Sequence, residues 1–430
     1  MSMIRSAAEA LAIAQTMGDE FALLDNPPGI FPPQELVPLA PRYTQLQGGP
    51  SAIFLDMDGT VTDTEPLFLH GVEMVVRRAM DGGTKEALFC LDKARDLPKI
   101  VGFSTVRNLE YLYTLQGQHM KRAPFFIAVD SSLRFLGAQE LPEETETRID
   151  SLMKSYGLSD WWVDGSFHQV PDADFRTTCE ERFPQLDSAV FSQFGLMVFF
   201  ADYLDALEKI NSGEGAVVSR ALFGDATRSA VAPMPGVSLL CALAKGWLSP
   251  DDAAMLCEAH SRPEEEAETL RALCKCFVAA PVPIALVTSS GSHETGLVLE
   301  AVFRSMRAEV DAWSLDRPTT QRILEGFAAP SSYFDTIVTC DDVIDGRTKP
   351  FRDPYTLALD RLGLHGPDAG RVIGFEDTEV GIIAHRGAGV GVPCALPIEH
   401  TLHQDFSAAS HVLHGGLLDA LFTHGLFIPS

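Results

Sequence analysis

Long apolar runs are missing from this 430-residue chain. No stretch reaches the ~18 apolar residues of a membrane span; Phe194 to Phe200 is among the longest. Met1 to Met17 has helical amphipathicity but no continuous apolar stretch of the signal-peptide kind, so no secretory leader is expected. Metal-type cysteine spacing is missing as well. The eight cysteines, at 90, 179, 241, 257, 274, 276, 340 and 394, form no CxxC pair and no disulfide framework. Cys274 and Cys276 are two residues apart, which puts them on different faces of a helix. Reduced thiols and a cytoplasmic location are expected. Basic residues are scarce: 33 Lys and Arg face 59 Asp and Glu, a net charge of −26. That excess argues against nucleic acid or an anionic membrane as partner. An anionic substrate would need a metal or a local cation to offset the field. There is no internal repeat or low-complexity tract. A composition of 46% hydrophobic and 21% charged residues excludes a mostly disordered chain.

What is present alternates. At roughly 100–200 residues per domain the length allows two to four units. Ser51-Ala-Ile-Phe-Leu55 is a short apolar run between Gly48-Gly49-Pro50 and Asp56, the pattern of a strand buried in a parallel sheet. Similar runs recur at Pro283 to Val287, Phe334 to Val338, Arg371 to Phe375 and Gly389 to Val392. Helical spacing separates them over Glu294 to Ala312, Pro354 to Leu362 and Val380 to Arg386. Strands alternating with helices predict an α/β domain with a parallel sheet, built from 48–65 and 233–430. Residues 66–232 carry helical spacing at Leu67 to Ala79, Ser104 to Leu115 and Val190 to Ile210, which predicts an inserted, mainly helical domain. Ser249-Pro-Asp-Asp252 reads as a helix start, with Ser as N-cap and Asp at N3, opening a helical pair over 249–280. Residues 1–47 read as an N-terminal helix followed by a proline-rich extension, with 27–41 a linker or a strap laid over the body.

Chemistry-bearing residues stand where these strands end. Asp56-Met-Asp58-Gly-Thr60 follows the first, at the sheet edge where open parallel sheets bind ligands. Two carboxylates at that spacing can attack as a nucleophile, shuttle a proton or hold a divalent cation. Thr288-Ser289-Ser290-Gly291 follows the next strand, where hydroxyls and free amides leading into a helix make an anion site. Lys349 lies in a later loop, and Glu376-Asp377 ends the strand Arg371 to Phe375. Acid pair, hydroxyls, ammonium and acid pair thus succeed one another.

The order Asp56-x-Asp58-Gly-Thr60, Val287-Thr-Ser-Ser290, Lys349-Pro-x-x-Asp353-x-Tyr355 and Glu376-Asp377 followed by Gly381 and Gly387-Ala-Gly389 resembles the haloacid dehalogenase (HAD) superfamily. The resemblance covers about 48–65 and 233–414 and implies a HAD-like Rossmannoid core with a helical cap over 66–232. It is of the β-phosphoglucomutase and phosphoglycolate phosphatase kind. Asp63-Thr-Glu-Pro66 and Met234-Pro-Gly-Val237 resemble the exit to that cap and the return from it. The resemblance implies that Asp56 is a nucleophile forming an aspartyl-phosphate and Asp58 the general acid and base. Thr288 and Ser289 would hold the phosphoryl group and Lys349 would neutralise it. Glu376 and Asp377 would bind Mg²⁺ together with Asp56 and the Asp58 carbonyl. Gly102, Ser104 and Thr105 match the cap loop that meets substrate. The region 66–232 is longer than usual for the family, as are 249–280 and 303–333, and 1–47 match nothing in it.

The chemistry is consistent apart from the family. A carboxylate attacking a phosphate dianion meets like-charge repulsion, which one Mg²⁺ and one Lys⁺ remove. Four functions remain in view. The first is a Mg²⁺-dependent phosphatase of a small phosphorylated metabolite, a sugar phosphate foremost. The second is a phosphomutase of the β-phosphoglucomutase kind. The third is a 2-haloacid dehalogenase, against which Asp58 and Glu376-Asp377 speak. The fourth is a non-catalytic binding protein, which would need neither Asp58 nor Lys349. In β-phosphoglucomutases an Arg directly follows Gly-x-Ser in the cap loop. Here that place is Thr105, with Arg107 two residues on, which favours the hydrolase over the mutase.

Overall fold

A computed structural model describes residues 6–26, 30–81, 91–92, 95–101, 104–163, 166–167, 172–259, 263–344 and 346–428. Along the chain the strands are β1 (Phe21–Asp25), β2 (Gln34–Pro38), β3 (Ala52–Leu55), β4 (Trp162–Val163), β5 (Ser166–Phe167), β6 (Ile284–Val287), β7 (Thr336–Val338), β8 (Val372–Glu376), β9 (Val392–Ala395) and β10 (His411–Val412). The chain folds as two units, 1–63 with 232–430, and 64–231.

The first unit is α/β. Six strands lie parallel in the order β10-β9-β8-β3-β6-β7. β3 sits between β8 and β6, with Phe54 opposite Gly374 on one side and Ala285 on the other. A central parallel strand is covered on both faces, so every residue from Ala52 to Leu55 is apolar and fully buried. Helices Ser292–Asp311, Asp353–Leu362 and Glu379–Ala388 follow β6, β7 and β8. The helical pair Pro250–Ala259 and Glu264–Ala279 precedes β6. Ser249 and Asp252 cap its first member reciprocally: the Ser249 amide donates to Asp252 Oδ2 at 2.7 Å, and the Asp252 amide to Ser249 Oγ at 3.2 Å.

The elements differ from the sequence reading in three places. β9 begins at Val392 rather than Gly389, because helix Glu379–Ala388 is closed by Gly389 in the left-handed conformation and the turn takes up the next residues. β10 adds a two-residue edge strand that no apolar run announces. The expected strap is a β-hairpin: β1 and β2 pair antiparallel, Phe21 opposite Pro38 and Asp25 opposite Gln34. Alternate residues of the hairpin, Ala22, Leu24 and Val37, are buried with Leu39 against Phe351 and Ile383. The helix before it, Ala7–Met17, is capped by Ser6 and Glu9 and buries none of its residues.

The second unit is mainly helical. Its principal helices are Glu65–Asp81, Thr105–Gln116, Arg122–Leu136, Glu143–Ser155, Asp172–Arg182 and Ser188–Asn211, with β4 and β5 as a small hairpin. Phe125, Phe126, Phe175, Phe191 and Phe194 are fully buried at its centre. Tilted ring pairs such as Phe125 with Phe191, centroids 5.2 Å apart, join the helices there. Among the described residues, Ser188–Asn211 is long and apolar enough to cross a membrane by length and composition alone. Here 67% of its most apolar window is buried inside the protein.

Candidate active site

Because the sheet is parallel, β3, β6 and β8 end on the same edge, and the residues that follow them meet there. Asp56 continues β3, its amide donating to the Phe375 carbonyl at 3.1 Å. Its carboxylate, in a residue only 6% exposed, is bonded by the Lys349 ammonium. Lys349 Nζ also donates to the Val287 carbonyl at 2.9 Å and lies 2.6 Å from Glu376 Oε1. One ammonium thus ties the ends of three neighbouring strands together.

Glu376 and Asp377 close β8 and are both buried. Tyr355, on helix Asp353–Leu362, donates its hydroxyl to Glu376 Oε1 at 2.5 Å, and Thr378 Oγ1 reaches Oε2 at 3.2 Å. Two glycines make room for these acids. Gly59 has φ 79°, and a Cβ there would overlap the Asp377 carboxylate. A Cβ on Gly381 would overlap the carboxylate of Glu376.

Asp56, Glu376 and Asp377 each offer a carboxylate oxygen within 4.8 Å of the others. Asp56 and Glu376 share the Lys349 ammonium, and Asp377 lies within reach of both, so carboxylates outnumber that cation in the cluster. Burial, then the charge of Glu376, raises the Asp56 carboxyl above the usual carboxylate range against the pull of Lys349. Burial alone would lower Lys349; Asp56 and Glu376 outweigh it and hold the ammonium charged. A hard divalent cation fits this donor set: it adds the missing charge, and oxygen ligands suit Mg²⁺.

The Asp58 carboxylate points elsewhere. Ser290 Oγ lies 3.2 Å from Asp58 Oδ2 and 3.4 Å from Glu294 Oε1. Burial, then the charge of Asp58, raises the pKa of Glu294. Sequence reasoning missed both neighbours: Ser290 stood as one of three hydroxyls, and Glu294 only as the start of a helix. Thr288 is buried at the end of β6, with its hydroxyl accepting from the Ser290 amide at 3.0 Å. Ser289 beside it is exposed. The chain leaves and re-enters this unit through paired segments: the Asp63 amide donates to the Ala232 carbonyl at 2.8 Å, and the Met234 amide to the Val61 carbonyl at 2.9 Å.

The cap-loop residues belong to the other unit. Gly102 lies outside the described residues. Ser104 is the N-cap of helix Thr105–Gln116, its hydroxyl accepting from the Arg107 amide at 3.4 Å, and Thr105 is that helix's first residue.

No family model matches the chain, and no curated protein matches it. Solved structures similar to it include CbbY from Rhodobacter sphaeroides in complex with phosphate, at 17% identity and a TM-score of 0.41, over 88% of this chain and 99% of that one. A HAD hydrolase of family IA, variant 3, from Entamoeba histolytica is similar at 13% identity and a TM-score of 0.33, over 80% of this chain and 83% of that one. A haloacid dehalogenase-like protein of unknown function from Agrobacterium tumefaciens is similar at 13% identity and a TM-score of 0.31, over 82% and 86%.

Proposed function

We propose that this chain is a phosphoric monoester hydrolase of the HAD type, acting on a small phosphorylated metabolite in the cytoplasm. A sugar phosphate is the foremost candidate. The observation that carries the reading is the buried cluster at the end of the sheet, where Asp56 is bonded by Lys349 and faces Glu376 and Asp377. Three buried carboxylates converging at one sheet edge, two of them on one ammonium, are costly to fold and are the kind of cluster that functional sites hold.

In this reading an Asp56 carboxylate oxygen bonds to phosphorus while the phosphorus–oxygen bond to the leaving group breaks, its electron pair staying on the leaving oxygen. Asp58 gives that oxygen a proton. Asp58 then takes a proton from water as the water oxygen attacks phosphorus. The bond between phosphorus and the Asp56 oxygen breaks, returning the carboxylate and inorganic phosphate. Lys349 and the Thr288 hydroxyl, with the Ser289 amide, hold the phosphoryl oxygens. Asp56, Glu376 and Asp377, with the Asp58 carbonyl, would hold Mg²⁺, which supplies positive charge against the phosphoryl group when bound. Residues 64–231 act as the cap, with Gly102, Ser104 and Thr105 as the loop that selects the leaving group.

A panel of phosphorylated metabolites, assayed for phosphate release with Mg²⁺ and with EDTA, tests this. Release should need Mg²⁺, and Asp56→Asn should lower it by a factor on the order of 10³ or more, since an amide cannot form the acyl-phosphate. Full activity after exhaustive chelation, or near-wild-type turnover by Asp56→Asn, would overturn the reading. Isomerisation of a hexose 1-phosphate to the 6-phosphate without phosphate release would mean a mutase.

A further inference from the structure

The N-terminal hairpin grips the two segments that carry the site's ammonium and its acids. Arg347 stands two residues before Lys349 and lies between two carboxylates. Its Nε and Nη2 donate to Asp353 at 2.7 and 3.0 Å, and its Nη1 and Nη2 donate to Glu35 on β2, both at 3.3 Å. The same guanidinium lies 4.5 Å from the centre of the Phe351 ring. Phe351, two residues after Lys349, is buried against Ala22, Leu24, Val37 and Leu39 of the hairpin and its exit. Lys349 is thus flanked on both sides by residues fastened to the hairpin.

A second grip falls on helix Glu379–Ala388, which begins two residues after Asp377. Its Arg386 is 2% exposed and donates to the Ala40 carbonyl from Nε at 3.0 Å and from Nη2 at 2.7 Å. Arg386 also pairs with Glu20 at 2.6 Å, and the Ala40 amide returns a bond to the Arg386 carbonyl at 3.0 Å. A cationic side chain set between two acids, beside an apolar plug, is more than a loop needs merely to be covered.

We propose that the β1–β2 hairpin is a brace for the Lys349 loop, and that Arg347, held by Glu35, is a positioning residue for the phosphoryl-transfer reaction on whose assignment this inference rests. The pair is partly exposed, 26% and 31% for the two side chains, and such pairs contribute little to global stability. Loss of Glu35 should therefore loosen the loop without unfolding the protein.

The test uses the full chain with Glu35→Ala. Amide hydrogen exchange over 346–353 should speed up about tenfold, while exchange in β3 stays as in the wild type. Turnover of the phosphomonoester should fall roughly tenfold in kcat with KM within about twofold, because the lost placement of Lys349 acts on the transition state. Glu35→Asp, which keeps the charge, should restore part of kcat, and Glu35→Gln should not. Wild-type exchange over 346–353 in Glu35→Ala would overturn the brace. Faster exchange with unchanged kcat would overturn the positioning role. The exchange measurement needs no substrate, so a wild-type protein that hydrolyses no monoester counts against the proposed reaction and not against the brace.

Discussion

Glu376 shows how one side chain is pinned from several directions. It is 1% exposed, and its Oε1 faces both the Tyr355 hydroxyl and the Lys349 ammonium. Tyr355 is itself fully buried, and its ring lies 3.9 Å from that of His385. Burial, then the charge of Glu376, raises the Tyr355 pKa, so the phenol stays a donor. In the proposed reaction Glu376 is a metal ligand, and loss of a partner that orients such a ligand commonly costs about 10- to 100-fold in metal affinity. Tyr355→Phe keeps the ring and removes the donor. The Mg²⁺ concentration for half-maximal turnover should rise about tenfold, with direct Mg²⁺ titration by calorimetry moving in parallel. Identical Mg²⁺ dependence in the variant would reduce Tyr355 to packing.

Between elements, the pair of helices Glu65–Asp81 and Ser188–Asn211 carries an ion pair that costs as well as joins. Arg78 Nη2 donates to Asp202 Oδ1 at 2.7 Å, while Asp202 Oδ2 and Arg78 Nε are buried and have no hydrogen-bond partner among the described residues. Burial outweighs the pull of Arg78 and raises the Asp202 carboxyl to about 6. The folded chain therefore binds this proton more tightly than the unfolded one. Its contribution to stability is full below the unfolded carboxylate range and is lost as pH rises through about 6. Asp202→Asn removes that dependence. Relative to wild type, the variant should gain about 1 kcal/mol of unfolding free energy between pH 5 and pH 7, read by urea denaturation at both. A difference that stays constant across this interval would show that Asp202 titrates normally.

Over the whole molecule, a net charge of −26 opposes the approach of any phosphate dianion. The Lys349 side chain is only 5% exposed, so the long-range field is set by the acidic surface. Salt screens that field, with a Debye length of roughly 30 Å at 0.01 M and 8 Å at 0.15 M. Raising ionic strength over this range should increase kcat/KM for a phosphomonoester about two- to threefold, at constant free Mg²⁺. A decrease would mean that a local cationic entrance dominates the approach.

Strands β3 and β6 are legible in the sequence because a strand covered on both faces has to be short and apolar throughout, as Ala-Ile-Phe-Leu and Ile-Ala-Leu-Val are. Asp56, Thr288, Glu376 and Asp377 are legible because each directly follows or closes such a run, and a parallel sheet sends those ends to one edge. The Ser249–Asp252 cap is legible because both partners lie within one turn. Glu294 beside Ser290 and Asp58 is a different matter, since Ser290 and Asp58 are 232 residues apart and a helix start looks the same with or without a site behind it. The hairpin was hidden because six prolines over 27–41 signal breaks, while its pairing depends on an apolar face that Phe351 and Ile383 help to complete. Local chemistry determines which residues end a strand or cap a helix. Only the packed fold decides which distant side chains those ends face, because that is set by contacts across the sheet and not by neighbours along the chain.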